Sequence, residues 1–332
     1  MRGSMKVLVT GGCGYVGSTV ADFLRAQGFS VRIFGRHLPA FLESWARNFE
    51  VSIGDVCEKQ SMRAALQNVD AVVHCAALNE TETNSSEEAF KVNALGTKNI
   101  LEVASELGIK RVIKLSTFHI YGRPTESIVT EKTPACPLTD YAQSQYFSEM
   151  FCRQFTNEKN MFAVVLRCSN GYGVPIRPNI ERWTLAVSDF CRQATLNKKI
   201  ILKSTGLQRR DFVWLQDIAS FIKILLDTPE ETLAEIRDEL GLTFNVGGDD
   251  VRSIKEVAEV VANIYKTEFG EKIELSIPTA SGADITNSFE FNSNKAKNLG
   301  YLPSKCLEKE IKDLLLFCRQ HDQDIRNISS VQ

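Results

Sequence analysis

With 332 residues, 43% of them hydrophobic and 24% charged, the chain can fill two domains, or one large domain with an appended part, around an ordinary globular core. Its 39 Lys and Arg against 41 Asp and Glu leave a net charge of −2, which excludes a global basic field for nucleic acid or an anionic membrane. No apolar run reaches the roughly 18 residues of a membrane span. Residues 1–4, Met1-Arg2-Gly3-Ser4, read as an expression leader ahead of a native start at Met5.

Taken in chain order, short apolar runs predict strands over 6–10, 30–34, 49–53, 71–75, 111–116 and 162–167. Between them, apolar residues recurring at three and four predict helices over 17–27, 59–66, 87–107 and 140–155. This alternation implies an α/β fold, a doubly wound parallel sheet covered on both faces and joined by right-handed crossovers. After about residue 170 the rhythm breaks. Helices are expected over 183–197, 217–226, 253–265 and 305–319, and strands over 199–203 and 243–246. Ser253 with Glu256 three residues on reads as a capping box. The division expected is a dinucleotide-binding domain over 5–170, with later segments crossing back, a smaller substrate-binding part over 171–320, and a polar, flexible tail over 321–332.

The nine cysteines are odd in number, form no Cys-x-x-Cys pair and do not cluster with the four histidines at metal spacing. They read as buried, reduced thiols of a cytoplasmic protein, and no metal site is expected.

Val9-Thr10-Gly11-Gly12-Cys13-Gly14-Tyr15-Val16-Gly17 closes the first strand and opens the first helix. A tight turn, close backbone approach to a pyrophosphate and helix-on-strand packing each call for glycine there, and a helix N-terminus offers free N–H groups to the phosphates. Gly11, Gly14, Tyr15, Val16 and Gly17 are therefore placed at a dinucleotide, in a Rossmann domain. The second strand ends in Phe34-Gly35-Arg36-His37. The acid that would bind a ribose 2′-hydroxyl is missing and Arg36 suits a 2′-phosphate, so the reading leans to NADP and leaves NAD open. Asp55 and Val56, after the third strand, are placed at the adenine.

These segments, with His74-Cys75-Ala76-Ala77, Asn93, Leu115-Ser116-Thr117-Phe118-His119-Ile120-Tyr121-Gly122, Tyr141, Ser169-Asn170-Gly171-Tyr172-Gly173, Arg210-Asp211-Phe212-Val213 and Asn245-Val246-Gly247-Gly248, resemble the extended short-chain dehydrogenase/reductase family, in its nucleotide-sugar epimerase, dehydratase and reductase group. The resemblance implies that Cys75, Ala76, Ala77, Asn93, Ser116, Tyr141 and Gln145 join the cofactor site. It implies that Tyr141 is the acid–base on a sugar hydroxyl, that Thr117 bonds the same oxygen, and that Asn170 and Arg210 hold the substrate, Arg210 on its diphosphate. It also implies a homodimer through helices 87–107 and 140–155.

Three departures stand out. The family pattern Tyr-x-x-x-Lys reads Tyr141-Ala142-Gln143-Ser144-Gln145, so the cation one helical turn from the phenol is gone. Without it Tyr141 is expected to stay protonated at neutral pH, which suits an acid reducing a ketone better than a base starting an oxidation. Dehydratases of the group carry Asp-Glu where this chain has Phe118-His119. That disfavours 4,6-dehydration and makes His119 a candidate acid–base. Ser281, in Ser281-Gly282-Ala283-Asp284, stands where many relatives carry a second diphosphate arginine. The expected function is an NAD(P)-dependent enzyme that epimerises, oxidises or reduces a nucleotide-activated sugar, in surface-polysaccharide or activated-sugar biosynthesis. A reductase of another small carbonyl compound, or a cofactor-binding protein with little turnover, stays open.

Overall fold

The structure is a computed structural model that describes residues 4–82, 85–180, 182–279 and 289–329; residues 1–3 and the Ser281–Asp284 segment lie outside the described residues. Seven strands form its main sheet: β1 (Lys6–Thr10), β2 (Ser30–Gly35), β3 (Glu50–Ile53), β4 (Ala71–His74), β5 (Arg111–Thr117), β6 (Phe162–Cys168) and β7 (Leu242–Val246). Their spatial order is β7-β6-β5-β4-β1-β2-β3, and every neighbouring pair is parallel. The strand order reverses beside β1 and β4, and a crevice opens at the carboxyl ends of such strands.

Alternation along the strands divides the core. Val7 and Val9 face helices α1 (Tyr15–Ala26) and, later in the chain, Leu215–Asp227, whereas Leu8, Val72 and Val112 face the other side. There α2 (Gly96–Glu106) and α3 (Asp140–Glu158) pack. The first six predicted strands match within a residue or two. The predicted helix over 87–107 does not run through. It divides into Ser86–Ala89, a wide π-helical turn Phe90–Leu95, and α2. The wide turn carries Asn93, whose side chain brackets Leu78: its Oδ1 accepts from the Leu78 N–H (2.8 Å) and its Nδ2 donates to the Leu78 carbonyl (3.0 Å).

The second half builds a separate core from α4 (Ala186–Asn197), α6 (Ile254–Phe269) and α7 (Leu307–Gln320), with α5 (Leu215–Asp227) and β7 crossing back to the main sheet. Ser253 and Glu256 form the capping box on α6. A three-stranded sheet, with Arg209–Trp214 between Asn170–Tyr172 and Val251–Ser253, was not apparent in the sequence. The polar tail is also more ordered than expected. Asp322–Ser329 is helical, Ile325 is fully buried, and Arg326 donates to the Leu196 carbonyl.

Candidate active site

The crevice at the strand ends is a cleft of about 620 Å³, lined at one end by the Gly11–Gly17 loop and at the other by Thr117, His119, Tyr141 and Asn170. Gly11 has φ +67°, and a Cβ on it would lie 2.8 Å from the Ala76 nitrogen. A Cβ on Gly17 would fall 2.2 Å from the Gly11 carbonyl oxygen. Gly14 caps α1 without any side-chain hydrogen bond, and the first turn holds no acidic residue. The loop thus leaves backbone room and first-turn N–H groups for an anion, a fit to the pyrophosphate of a dinucleotide. Tyr15 and Val16 also line the cleft, and the Tyr15 hydroxyl donates to the Gly173 carbonyl (2.6 Å), fastening α1 to the substrate side.

At the end of β2, Gly35, Arg36 and His37 line the rim, and Arg36 is exposed. No carboxylate occupies the β2 terminus. Asp55 and Val56 are not part of the lining described. The Asp55 carboxylate accepts from the Cys57 N–H (2.8 Å), Val56 is buried, and the Val56 carbonyl accepts from Asn99.

Cys75, Ala76 and Ala77 form the β4 wall. Burial pushes the Cys75 thiol up to about 12, so it stays protonated and apolar in character. Asn93 stands behind this wall, fully buried, and its amide also donates to Ser144 (2.9 Å). Ser116 lines the cleft, yet its hydroxyl donates to Glu149. Glu149 in turn pairs with Arg167 at 2.7 Å, and each side chain is only 5% exposed. Arg167 also donates to the Tyr121 hydroxyl (2.9 Å), which donates to Asn245 (2.6 Å). This buried chain of polar groups ties α3 to β5, β6 and β7.

Thr117 ends β5, and its side chain caps the short 3₁₀ turn Phe118–Tyr121 by accepting from the His119 N–H. Tyr141 sits in the first turn of α3, which Thr139 caps. Burial raises the Tyr141 phenol to about 12; the Arg182 guanidinium and the Thr117 hydroxyl pull the other way. The phenol is therefore a proton donor at neutral pH, with burial as the leading cause. His119 lies 6.4 Å from Tyr141, ring centre to ring centre, and its Nδ1 is 3.9 Å from a Glu80 carboxylate oxygen. Burial lowers the His119 pKa, Glu80 raises it, and Arg210 lowers it further.

Asn170 lines the cleft and its amide donates to the Asp211 carbonyl (2.9 Å). Arg210 lies next door, on the strand Arg209–Trp214, outside the lining described, with Nη1 donating to the Arg209 carbonyl (2.9 Å). The Asp211 carboxylate gathers the Ser169 hydroxyl (2.5 Å) and the Gly248 N–H (2.8 Å), and burial raises it to about 6.

Three residues escaped the sequence reading. Glu80 and Arg182 line the cleft from irregular segments that carry no periodic signal. Lys114, 1% exposed on β5, donates from Nζ to the Gln145 side-chain oxygen at 2.7 Å. Its signal was available: a lysine inside the apolar run Val112-Ile113-Lys114-Leu115 of a central strand.

Among the described residues no group of His, Cys, Asp and Glu could hold a metal ion, and no helix is long and apolar enough to cross a membrane.

Known proteins share the fold. The chain is 25% identical over 338 residues to the mouse dTDP-D-glucose 4,6-dehydratase, covering 97% of this chain and 91% of that protein. The crystal structure of UDP-glucose 4-epimerase with UDP-glucose from Thermotoga maritima superposes with a TM-score of 0.80 at 23% identity, over 95% of this chain and 99% of that one. UDP-glucuronic acid 4-epimerase from Bacillus cereus, in complex with UDP-glucuronic acid and NAD, gives 0.76 at 22% identity, over 95% and 99% of the two chains. The model of the NAD dependent epimerase/dehydratase family matches residues 7–247. That match covers well over half of the chain, through the glycine loop, Tyr141 and Asn170 alike, and the protein belongs to the NAD dependent epimerase/dehydratase family, an NAD(P)-dependent enzyme of the nucleotide-sugar class.

Proposed function

We propose that the protein interconverts a hydroxyl and a ketone on the sugar of a nucleotide sugar, with Tyr141 as the proton-transfer residue. The observation that carries this reading is the position of Tyr141. It is a half-buried phenol partnered by Thr117, on the same cleft that begins at the glycine loop. The nicotinamide, when bound, supplies the two-electron acceptor or donor. Thr117 orients the sugar oxygen, and Tyr141 gives that oxygen its proton or takes it away. A phenol raised to about 12 by burial carries its proton at neutral pH, which is the form that protonates the oxygen in ketone reduction.

His119 and Glu80 stand on the far side of Tyr141 and form the second proton-handling pair. They stand 3.9 Å apart, His119 Nδ1 to a Glu80 carboxylate oxygen. A His rather than a carboxylate pair at this place favours epimerisation or net reduction over 4,6-dehydration. Asn170 holds the sugar, and Arg210, close enough to Glu80 and His119 to act on their charges, meets the diphosphate. Gln145 completes the wall beside Tyr141.

Arg36 on the rim favours NADP, while the relatives crystallised with NAD favour NAD. Leu95, Phe147 and Met150 are 38–44% exposed on the helices expected to form a dimer, and they support a homodimer of four packed helices. A cytoplasmic place in activated-sugar or surface-polysaccharide biosynthesis is consistent with such a substrate.

Mass spectrometry of small molecules released from mildly purified protein tests the reading. NAD(P) retained through gel filtration, with turnover of a UDP- or dTDP-hexose, is the expected result. Turnover of simple ketones but of no nucleotide sugar would replace it with the small-carbonyl reductase reading.

A further inference from the structure

The lysine missing from α3 has a counterpart on β5. Lys114 is paired in register with His74 on β4 and Val165 on β6, in the middle of the sheet. Its ammonium donates to the Gln145 side-chain oxygen at 2.7 Å and to the Leu115 carbonyl. No carboxylate lies within ion-pair distance of it among the described residues; Glu149 on α3 is engaged with Arg167 and Ser116. A buried cation held only by neutral oxygens is costly, and such groups persist where they do something besides stabilise.

We propose that Lys114 is a positioning residue for the cofactor wall, dividing the work with Gln145: Gln145 donates the hydrogen bond to the cofactor, and Lys114, seated on the Gln145 side-chain oxygen, orients and polarises that donor.

The hydrogen bond fixes the division. With its oxygen facing Lys114, Gln145 has its Nε2 amide as the donor for the cleft it lines. An ammonium on the oxygen of an amide draws electron density toward that oxygen and makes the N–H groups stronger donors. The other groups facing Lys114 are His74 and Cys75 from β4, Glu149 and Cys152 from α3, and Cys168 from β6. Burial keeps His74 neutral and the three thiols protonated, so none of these four competes with Gln145 for the ammonium as a charged partner. Burial also brings the lysine down to about 8, so its charge is present at neutral pH and leaves in mild alkali.

The inference rests on the reading that the cleft holds a nicotinamide dinucleotide. It is tested by NADH affinity, measured by energy transfer from protein tryptophan, and not by turnover alone. Wild-type protein binds NADH, and K114M weakens that binding by about tenfold or more, the worth of a hydrogen bond to a charged group. Q145K alone brings a second ammonium against the first and also weakens it. The exchange K114Q/Q145K, which returns the cation to the helix and the amide to the strand, recovers affinity. Wild-type affinity declines above about pH 8, and in the exchanged variant that decline moves to higher pH. Unchanged NADH binding in K114M, or an exchange variant no better than Q145K, would overturn the inference and leave the cofactor reading intact. Loss of folding in both K114M and K114Q would overturn it too, by making Lys114 a structural plug. Failure of the wild-type protein to bind either NADH or NADPH would overturn both readings.

Discussion

The two ends of the cleft are built on different principles. At the glycine loop, recognition comes from the main chain: φ at Gly11, absent Cβ atoms at Gly14 and Gly17, and an uncapped helix end. At the other end the cleft is lined by side chains carried by five separate segments: Glu80, Thr117 with His119, Tyr141 with Gln145, Asn170, and Arg182. A backbone site tolerates almost no substitution and therefore leaves a dense local motif. A side-chain site can exchange one residue for another from a neighbouring strand, as Lys114 and Gln145 illustrate. The first end announces a cofactor class, and the second can change chemistry while the fold stays constant.

If that contrast is right, the largest effect on cofactor affinity belongs to the main chain. Gly17→Ala drives a Cβ to 2.2 Å from the Gly11 oxygen. NADH affinity should fall by about 100-fold or more, equivalent to about 3 kcal/mol, as titration of NADH fluorescence will report. A normal affinity in this variant would break the comparison. Tyr141→Phe keeps the ring and removes the proton. It should lower kcat by roughly 10²–10⁴-fold with NADH affinity little changed, in steady-state assays on a responsive nucleotide sugar.

Further from the cleft, Glu149→Gln leaves the Arg167 guanidinium buried beside a neutral amide. Its predicted cost is about 3–5 kcal/mol of unfolding free energy, read from urea denaturation at neutral pH. The smallest effect is a pH dependence. The Lys114 pKa is lowered from 10.5 to about 8 in the folded chain. Between those values the unfolded chain holds a proton that the folded chain has released, so stability rises with pH across that window and is flat below it. At about 1.4 kcal/mol per unit, wild-type protein should gain up to about 3 kcal/mol relative to K114M between pH 8 and pH 10.5. Parallel melting curves for the two proteins over that range would remove the buried cation.

These contrasts explain what could be read in advance. Strand alternation and the Gly11–Gly17 spacing are local properties, so the parallel sheet and the cofactor loop were legible. The strand Arg209–Trp214 was not, because its partners Asn170–Tyr172 and Val251–Ser253 lie about 40 residues to either side, and its own residues mix charge with aromatics. The π-helical turn at Phe90–Leu95 widens a helix by demand of Asn93 rather than by any break in periodicity. Tyr141 and Thr117 were placed together by their resemblance to a family. Arg182 and Glu80 were invisible, since a charged residue in a loop reads as solvated until tertiary structure folds it over the cleft. Asn170 and Arg210 were expected side by side on the substrate. They lie on paired strands, with Asn170 in the cleft lining and Arg210 near enough to act on His119 and Glu80.

Asn93 has a further consequence for how such a protein can diversify. By gripping both the N–H and the carbonyl of Leu78, it ends the cofactor wall at a fixed post. Past that post, Asn79, Glu80, Thr81 and Glu82 continue the lining of the cleft. Exchanged charges in that short stretch would therefore alter the cleft while the grip on Leu78 holds the wall behind it. The stretch is a place where side chains can be exchanged while the backbone at Leu78 stays pinned.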